Sequence, residues 1–186
     1  MKLMFASDIH GSAFYARKML ELFEQSGAER LVLLGDILYH GPRNDLPKEY
    51  APKEVIAMLN PLRDRIYAVR GNCDTEVDQM VLNFPILADY ALLLTEERAI
   101  YATHGHIFNE NHLPPVVDGD VLIHGHTHLL EAKTIQTEDG RKVWILNPGS
   151  VSIPKGGNPN TYALLEDGVF RILTLENEVV REISLK

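Results

Sequence analysis

The chain has 186 residues, 45% of them hydrophobic and 24% charged. This is the size of one domain with a substantial core, and the composition excludes a disordered or fibrous class. A formal net charge of -8, from 18 basic against 26 acidic residues, repels polyanions and argues against tight sequence-independent binding of nucleic acid. The lone cysteine, Cys73, allows no internal disulfide and fits a reducing compartment. The apolar run before Asp8 is too short for a signal peptide or a membrane span. The expectation is a cytoplasmic protein without a membrane partner.

In chain order, residues 3–6 read as a short buried strand closed by the turn-forming segment 7–12. Apolar positions at Phe14, Ala16, Met19, Leu20 and Phe23 predict a helix over residues 13–25, with Gly27 as its stop. Residues 31–34 form a second buried strand, closed by Gly35 and Asp36. This β-α-β opening puts acidic residues at the carboxyl ends of strands, where open α/β sheets place their sites. Three prolines between residues 39 and 52 predict a long surface loop, and such loops are usually functional. A helix over 53–62 and a strand over 66–69 follow, the strand ending at Arg70, Gly71 and Asn72. After Pro85 the pattern turns to strands, expected at 91–94, 99–103, 121–124, 143–146, 162–165, 169–173 and 179–183. There is no internal repeat or linker, so residues 1–186 are expected to form a single domain built on two sheets.

Five motifs share one placement, in which an apolar strand runs out and polar groups follow at once. They are Asp8-Ile9-His10, Gly35-Asp36, Gly71-Asn72-Cys73-Asp74, His104-Gly105-His106 and His124-Gly125-His126-Thr127-His128. Of 8 histidines in the chain, 6 fall inside these motifs, a concentration that random scatter rarely produces. Carboxylate and imidazole donors together suit borderline divalent ions, whereas calcium calls for oxygen alone. Without a cysteine cluster a structural zinc site is not indicated. Each short motif has a plainer reading, as a capping Asp, an ordinary Gly-Asp turn or a left-handed Asn. Three imidazoles in five residues have no comparable packing role. In Asp8-x-His10, as in the pairs His104/His106 and His126/His128, an extended strand end would point both residues to one side.

In this order the motifs resemble those of the calcineurin-like metallophosphoesterases, whose pattern is D-x-H, G-D, G-N-H-[DE], H and G-H-x-H. The segments at 40–44, 70–74 and 147–157 extend the likeness to the family's small bacterial phosphodiesterases, over essentially the whole chain. The resemblance implies an α+β fold, an α/β/β/α four-layer sandwich of two mixed β-sheets flanked by helices. It implies two divalent metal ions per chain, with manganese the first expectation and iron, zinc, nickel or cobalt compatible. One ion would be held by Asp8, His10, Asp36 and His128, the other by Asp36, Asn72, His104 and His126, with Asp36 bridging them. Asp36, Asn72 and His104 would carry the catalysis; His124 is expected to pack beside the site without ligating. The implied reaction is hydrolysis of small organic phosphodiesters, by in-line attack of a hydroxide bridging the two ions.

Two departures from the family pattern bear on substrate. Cys73 stands where the pattern has a histidine, and a thiol cannot replace a protonated imidazole as the acid for a leaving group. Tyr39 and His40 stand where protein phosphatases carry the arginine motif, so Arg43 is expected to supply the phosphate contact, with Asn72 and Cys73 also facing substrate. The expected partner is thus a small-molecule phosphodiester and not a nucleic acid, and a homo-oligomer is compatible with the apolar C-terminal strands. The competing readings are a non-catalytic metal-binding scaffold of the same fold, a nuclease of the same superfamily, and a single-zinc amide or ester hydrolase, which would need the absent HExxH helix.

Overall fold

The computed structural model describes residues 1–185. In chain order the elements are β1 (Lys2–Ala6), α1 (Ala13–Ser26), β2 (Arg30–Leu33), α2 (Pro52–Leu59), a 3-10 segment at Asn60–Arg65, β3 (Ile66–Ala68) and α3 (Glu76–Gln79). Then come β4 (Tyr90–Leu94), β5 (Ala99–Thr103), β6 (Val121–Ile123), β7 (Leu130–Gln136), β8 (Lys142–Pro148), β9 (Thr161–Glu166), β10 (Val169–Thr174) and β11 (Val179–Ser184). They make a six-stranded sheet, β11-β10-β9-β1-β2-β3, and a five-stranded sheet, β4-β5-β6-β8-β7. Both are mixed, and both hold a parallel triplet at their centre or edge: β1-β2-β3 in the first, β5-β6-β8 in the second.

Strand alternation explains how the sheets stack. In β1, Leu3 and Phe5 point into a core shared with Ile100, Ala102, Val121, Ile123 and Leu146 of the second sheet. Met4 and Ala6 point the other way, into a core with the helices. α1 buries Ala13, Ala16, Met19, Leu22 and Phe23 there, starts at the Ser12 hydroxyl, which accepts from the Tyr15 amide, and stops at Gly27 in the left-handed conformation. Two sheets flanked by helices are the expected architecture. The helices pack on the first sheet, while the outer face of the second (Tyr101, Leu122, Val143, Ile145) is covered by Leu113 and Val116 of the irregular segment 107–118.

The expected elements are present with three differences. The helix foreseen over 53–62 is α-helical only through Leu59; Pro61 cannot donate the next backbone bond, and the chain tightens into the 3-10 segment. β7 was not foreseen, because Leu130–Gln136 mixes charged and apolar residues along a sheet edge. The short α3 was also not foreseen; it is started by a capping box in which Thr75 and Asp78 satisfy each other's amides.

Candidate metal centre

The carboxyl ends of the two parallel triplets meet, and every motif singled out above sits there. Asp8 and His10 follow β1, Asp36 follows β2, Asn72 follows β3, His104 follows β5, and His126 and His128 follow β6. The sheets are tied together at this end by Val151 N–H to Ser7 O (3.0 Å) and by His126 N–H to Asp8 Oδ2 (3.1 Å).

The donor atoms fall into two overlapping groups. In the first, Asp8 Oδ1 lies 3.1 Å from His128 Nε2 and 3.6 Å from His10 Nε2, which is itself 3.6 Å from Asp36 Oδ2. In the second, the same Asp36 Oδ2 is 3.5 Å from His104 Nε2, which lies 3.0 Å from Asn72 Oδ1 and 3.2 Å from His126 Nδ1. One carboxylate oxygen therefore faces both groups. Asp36's other oxygen is occupied by the Cys73 amide at 2.8 Å, which fixes the carboxylate plane.

Three imidazoles are oriented by backbone carbonyls. His10 Nδ1 meets Tyr39 O at 2.8 Å, His104 Nδ1 meets Leu34 O at 2.7 Å, and His128 Nδ1 meets Ile153 O at 2.7 Å. Each such bond places the proton on Nδ1 and leaves the Nε2 lone pair aimed into the cluster, the arrangement a metal-binding histidine needs. Burial and His104 push His126 down to about 4, so it is neutral at physiological pH. Burial opposes ionisation of Asp8, but the neighbouring His10 and His128 prevail and hold the carboxyl well below its usual range. For His10 burial acts downward and Asp8 upward, with a net rise.

The residues fit a divalent cation on a further count. Asp8 Oδ1 is wholly buried and has no hydrogen-bond partner among the described residues, whereas Asp8 Oδ2 is taken by the Ser7 hydroxyl and the His126 amide. A buried carboxylate oxygen aimed among imidazole lone pairs costs free energy that a cation offsets. The sets Asp8/His10/His128 and Asp8/Asp36/His104 each bring their ligand atoms within 4.8 Å of one another.

The means of placing these residues differs from the expected one. Asp8, His10, Asp36, His126 and His128 are not extended; their φ angles are 58°, 49°, 54°, 66° and 60°. Each is a left-handed turn residue, a conformation that costs about 1 kcal/mol or more for a non-glycine and is kept only where surroundings enforce it. The enforcing bonds come from other segments of the chain: Asp8, His10 and Gly11 amides donate to Gly35, Asp36 and Ile37 carbonyls, and the Ser150 and Ser152 hydroxyls both donate to Asp8 O. Gly71 packs so tightly that a Cβ there would overlap the Asp36 carboxylate.

Other expected residues take clear positions. Cys73 is half-buried, and burial with Asp36 nearby pushes its thiol up to about 12, so it stays a neutral SH rather than a nucleophile. The 39–51 loop lies over it, since a Cβ at Gly41 would be 3.3 Å from Cys73 Sγ. Arg43 lies exposed in that loop, and no contact joins it to the cluster. His124 is buried outside the cluster, with Nε2 3.6 Å from Glu131 Oε2. Asp74 is the residue whose role the motif reading understated: its carboxylate accepts amides from Asp36 (2.8 Å), Ile37 (2.9 Å) and Gly71 (2.7 Å), clamping two strand-end loops together. Two apolar clefts elsewhere, one along Met1, Tyr67 and Leu92 and one along Leu94, Arg98 and Leu185, include none of these groups.

Residues 1–167 match the family model for the calcineurin-like phosphoesterase superfamily domain. The chain belongs to that superfamily. It is 51% identical to the phosphodiesterase YfcE of Escherichia coli K12 over 186 residues, covering 100% of this chain and 98% of that protein. The solved structure of the E. coli YfcE phosphoesterase superposes with a TM-score of 0.94 at 49% identity, covering 100% of both chains. A probable metallophosphoesterase of Bacillus subtilis, YsnB, is 27% identical over 185 residues, covering 96% of this chain and 86% of that one.

Proposed function

We propose that this chain is a metal-dependent phosphodiesterase acting on small organic phosphodiesters, with two divalent ions per chain and manganese the first expectation. The observation that carries the reading is Asp36 Oδ2 facing both His10 Nε2 and His104 Nε2, with three further donor residues on either side. Asp8, His10, Asp36 and His128 would hold one ion, and Asp36, Asn72, His104 and His126 the other. When bound, such a pair supplies Lewis-acid polarisation of the phosphoryl oxygens and a hydroxide nucleophile near neutral pH. The chain's own part is to keep the imidazoles aimed, to hold Asp36 in one plane through the Cys73 amide, and to offer the Asn72 amide, which now donates to Cys73 Sγ at 3.2 Å, as a donor toward a phosphate oxygen. Arg43 is assigned to substrate because it is a free cation on the loop that covers Cys73. The substrate is a small molecule, and the cytoplasm is the compartment that fits a lone reduced thiol. Among the described residues no helix is long and apolar enough to cross a membrane.

The reading is tested with bis-p-nitrophenyl phosphate and Mn, Ni, Co or Zn. Turnover is expected with at least one, together with about two ions per chain by elemental analysis. Folded protein that binds less than one ion and turns nothing over would instead be a scaffold.

Cys73 sets the leaving-group preference. A thiol pushed up to about 12 is a far weaker acid than an imidazolium, so it gives the departing alkoxide little help and favours esters whose leaving groups are already good. Cys73→His is expected to raise kcat on diesters with poor leaving groups by about 10-fold or more, within the range for a general acid, and to change p-nitrophenyl esters little. Equal effects on both classes, or none, would remove Cys73 from the account.

A further inference from the structure

The sulfur of Cys73 lies among the donor atoms themselves. Cys73 Sγ, a ring nitrogen of His10 and a carboxylate oxygen of Asp36 are all within 4.8 Å of one another, the bound that also holds for Asp8/His10/His128 and Asp8/Asp36/His104. An ion bonded to sulfur at about 2.3 Å and to nitrogen or oxygen at about 2.0–2.1 Å sets such atoms roughly 3.5 Å apart in a tetrahedral site. Cys73 has a single side-chain torsion with which to close that gap.

The surroundings fit the sulfur to an ion. The Cys73 amide donates to Asp36 Oδ1 at 2.8 Å, so the residue that carries the sulfur is fixed to the carboxylate that faces both donor groups. Asn72 Nδ2 donates to Cys73 Sγ at 3.2 Å, a bond that favours an anionic sulfur over a thiol. Gly41 lies over the sulfur; a Cβ there would stand 3.3 Å from Sγ, so the loop leaves room that a larger residue would take. Independently of the cysteine, Asp8 Oδ1 is wholly buried, lacks a hydrogen-bond partner among the described residues, and lies 3.6 Å from His10 Nε2, where it adds a second carboxylate. Burial and the Asp36 and Asp74 carboxylates keep the free side chain as a thiol, and those same carboxylates are what a cation neutralises. Manganese is suited by carboxylate oxygen and leaves the thiol as it is, whereas softer ions select thiolate sulfur.

We propose that Cys73, together with His10 and Asp36, is a binding site for a thiophilic divalent ion, zinc or cadmium, that manganese does not use. On binding, the S–H bond breaks, its electron pair forms the metal–sulfur bond, and the proton leaves to solvent. His10 and Asp36 belong also to the ion pair of the phosphodiesterase reading, and the inhibitory consequence rests on that reading: an ion held by Cys73 takes both residues from the pair and stops turnover.

The test titrates cadmium, which reports a bound thiolate by an ultraviolet charge-transfer band, into metal-free protein. Wild type is expected to show the band, saturating at one thiolate-bound ion per chain. Cys73→Ser is expected to lack the band, to bind cadmium about 10-fold or more weakly in competition with a chelator, and to bind manganese within about threefold of wild type, as loss of one donor to the softer ion alone requires. In manganese-loaded protein, cadmium should inhibit turnover of bis-p-nitrophenyl phosphate at a lower concentration in wild type than in Cys73→Ser, each measured against its own cadmium-free rate. The proposal is overturned if wild type binds no cadmium or binds it without the band, or if Cys73→Ser weakens cadmium and manganese alike. A band without inhibition would move the ion off His10 and Asp36 and overturn the site as drawn. A band in folded protein that turns nothing over with any metal would sink the phosphodiesterase reading and leave the thiolate site standing.

Discussion

Asp36→Asn is expected to lower turnover of bis-p-nitrophenyl phosphate by about 10³-fold, roughly 4 kcal/mol of barrier, while leaving the protein folded. The substitution is nearly isosteric, so its effect isolates charge and donor chemistry. Oδ1 can go on accepting the Cys73 amide, held now at 2.8 Å. What changes is the other position, where Oδ2 faces His10 Nε2 at 3.6 Å and His104 Nε2 at 3.5 Å. An NH₂ group there points protons at the space both imidazole lone pairs face, and it removes the one negative charge common to both groups. Metal content should therefore fall from about two ions per chain to one or fewer. The metal-free variant should melt no lower than metal-free wild type, since a buried charge beside Asp8 and Asp74 is gone. Activity within tenfold of wild type, or unchanged metal content, would show that Asp36 is not shared between two ions.

Much of the site was legible because its residues cluster where apolar runs stop. β1, β2, β3, β5 and β6 are short and almost wholly buried, so their ends are sharp in the sequence and the polar residues after them stand out. Two things were not legible. Periodicity describes extended chain, so it suggested that Asp8 and His10 share a side by strand alternation; they share it through left-handed conformations on either side of Ile9, imposed by the Gly35–Ile37 carbonyls, a tertiary effect. The orientation of His10, His104 and His128 was equally hidden, because Tyr39, Leu34 and Ile153 act through backbone carbonyls that any residue carries. In the fold, β7 was lost for a related reason. Glu131 and Lys133 read as loop residues, yet they pair with each other at 2.6 Å on the outer edge of the second sheet.

Asp74→Ala is expected to cost about 3–5 kcal/mol of stability, seen as a melting temperature lower by roughly 10 °C for a chain of this size. Asp74 is buried and accepts three backbone amides, from Asp36, Ile37 and Gly71. Alanine leaves these donors buried without a partner, at about 1–3 kcal/mol each before relaxation. One opposing effect reduces the sum: burial and the nearby Asp36 push the Asp74 carboxyl up to about 6, so removing it also relieves an unfavourable buried charge. Asp74→Asn separates the two contributions. It keeps one oxygen as acceptor and drops the charge, but turns an NH₂ toward at least one amide, so it should lose about half as much stability as alanine. Both variants should also bind metal more weakly, because the clamp joins the Asp36 turn to the Gly71–Asn72 turn and so sets two of the proposed ligands at once. If Asn and Ala melt alike, the charge rather than the hydrogen bonds holds these loops. If neither shifts the melting temperature by more than about 3 °C, Asp74 does not clamp them, and the left-handed turn at Asp36 must be held by its glycine neighbours alone.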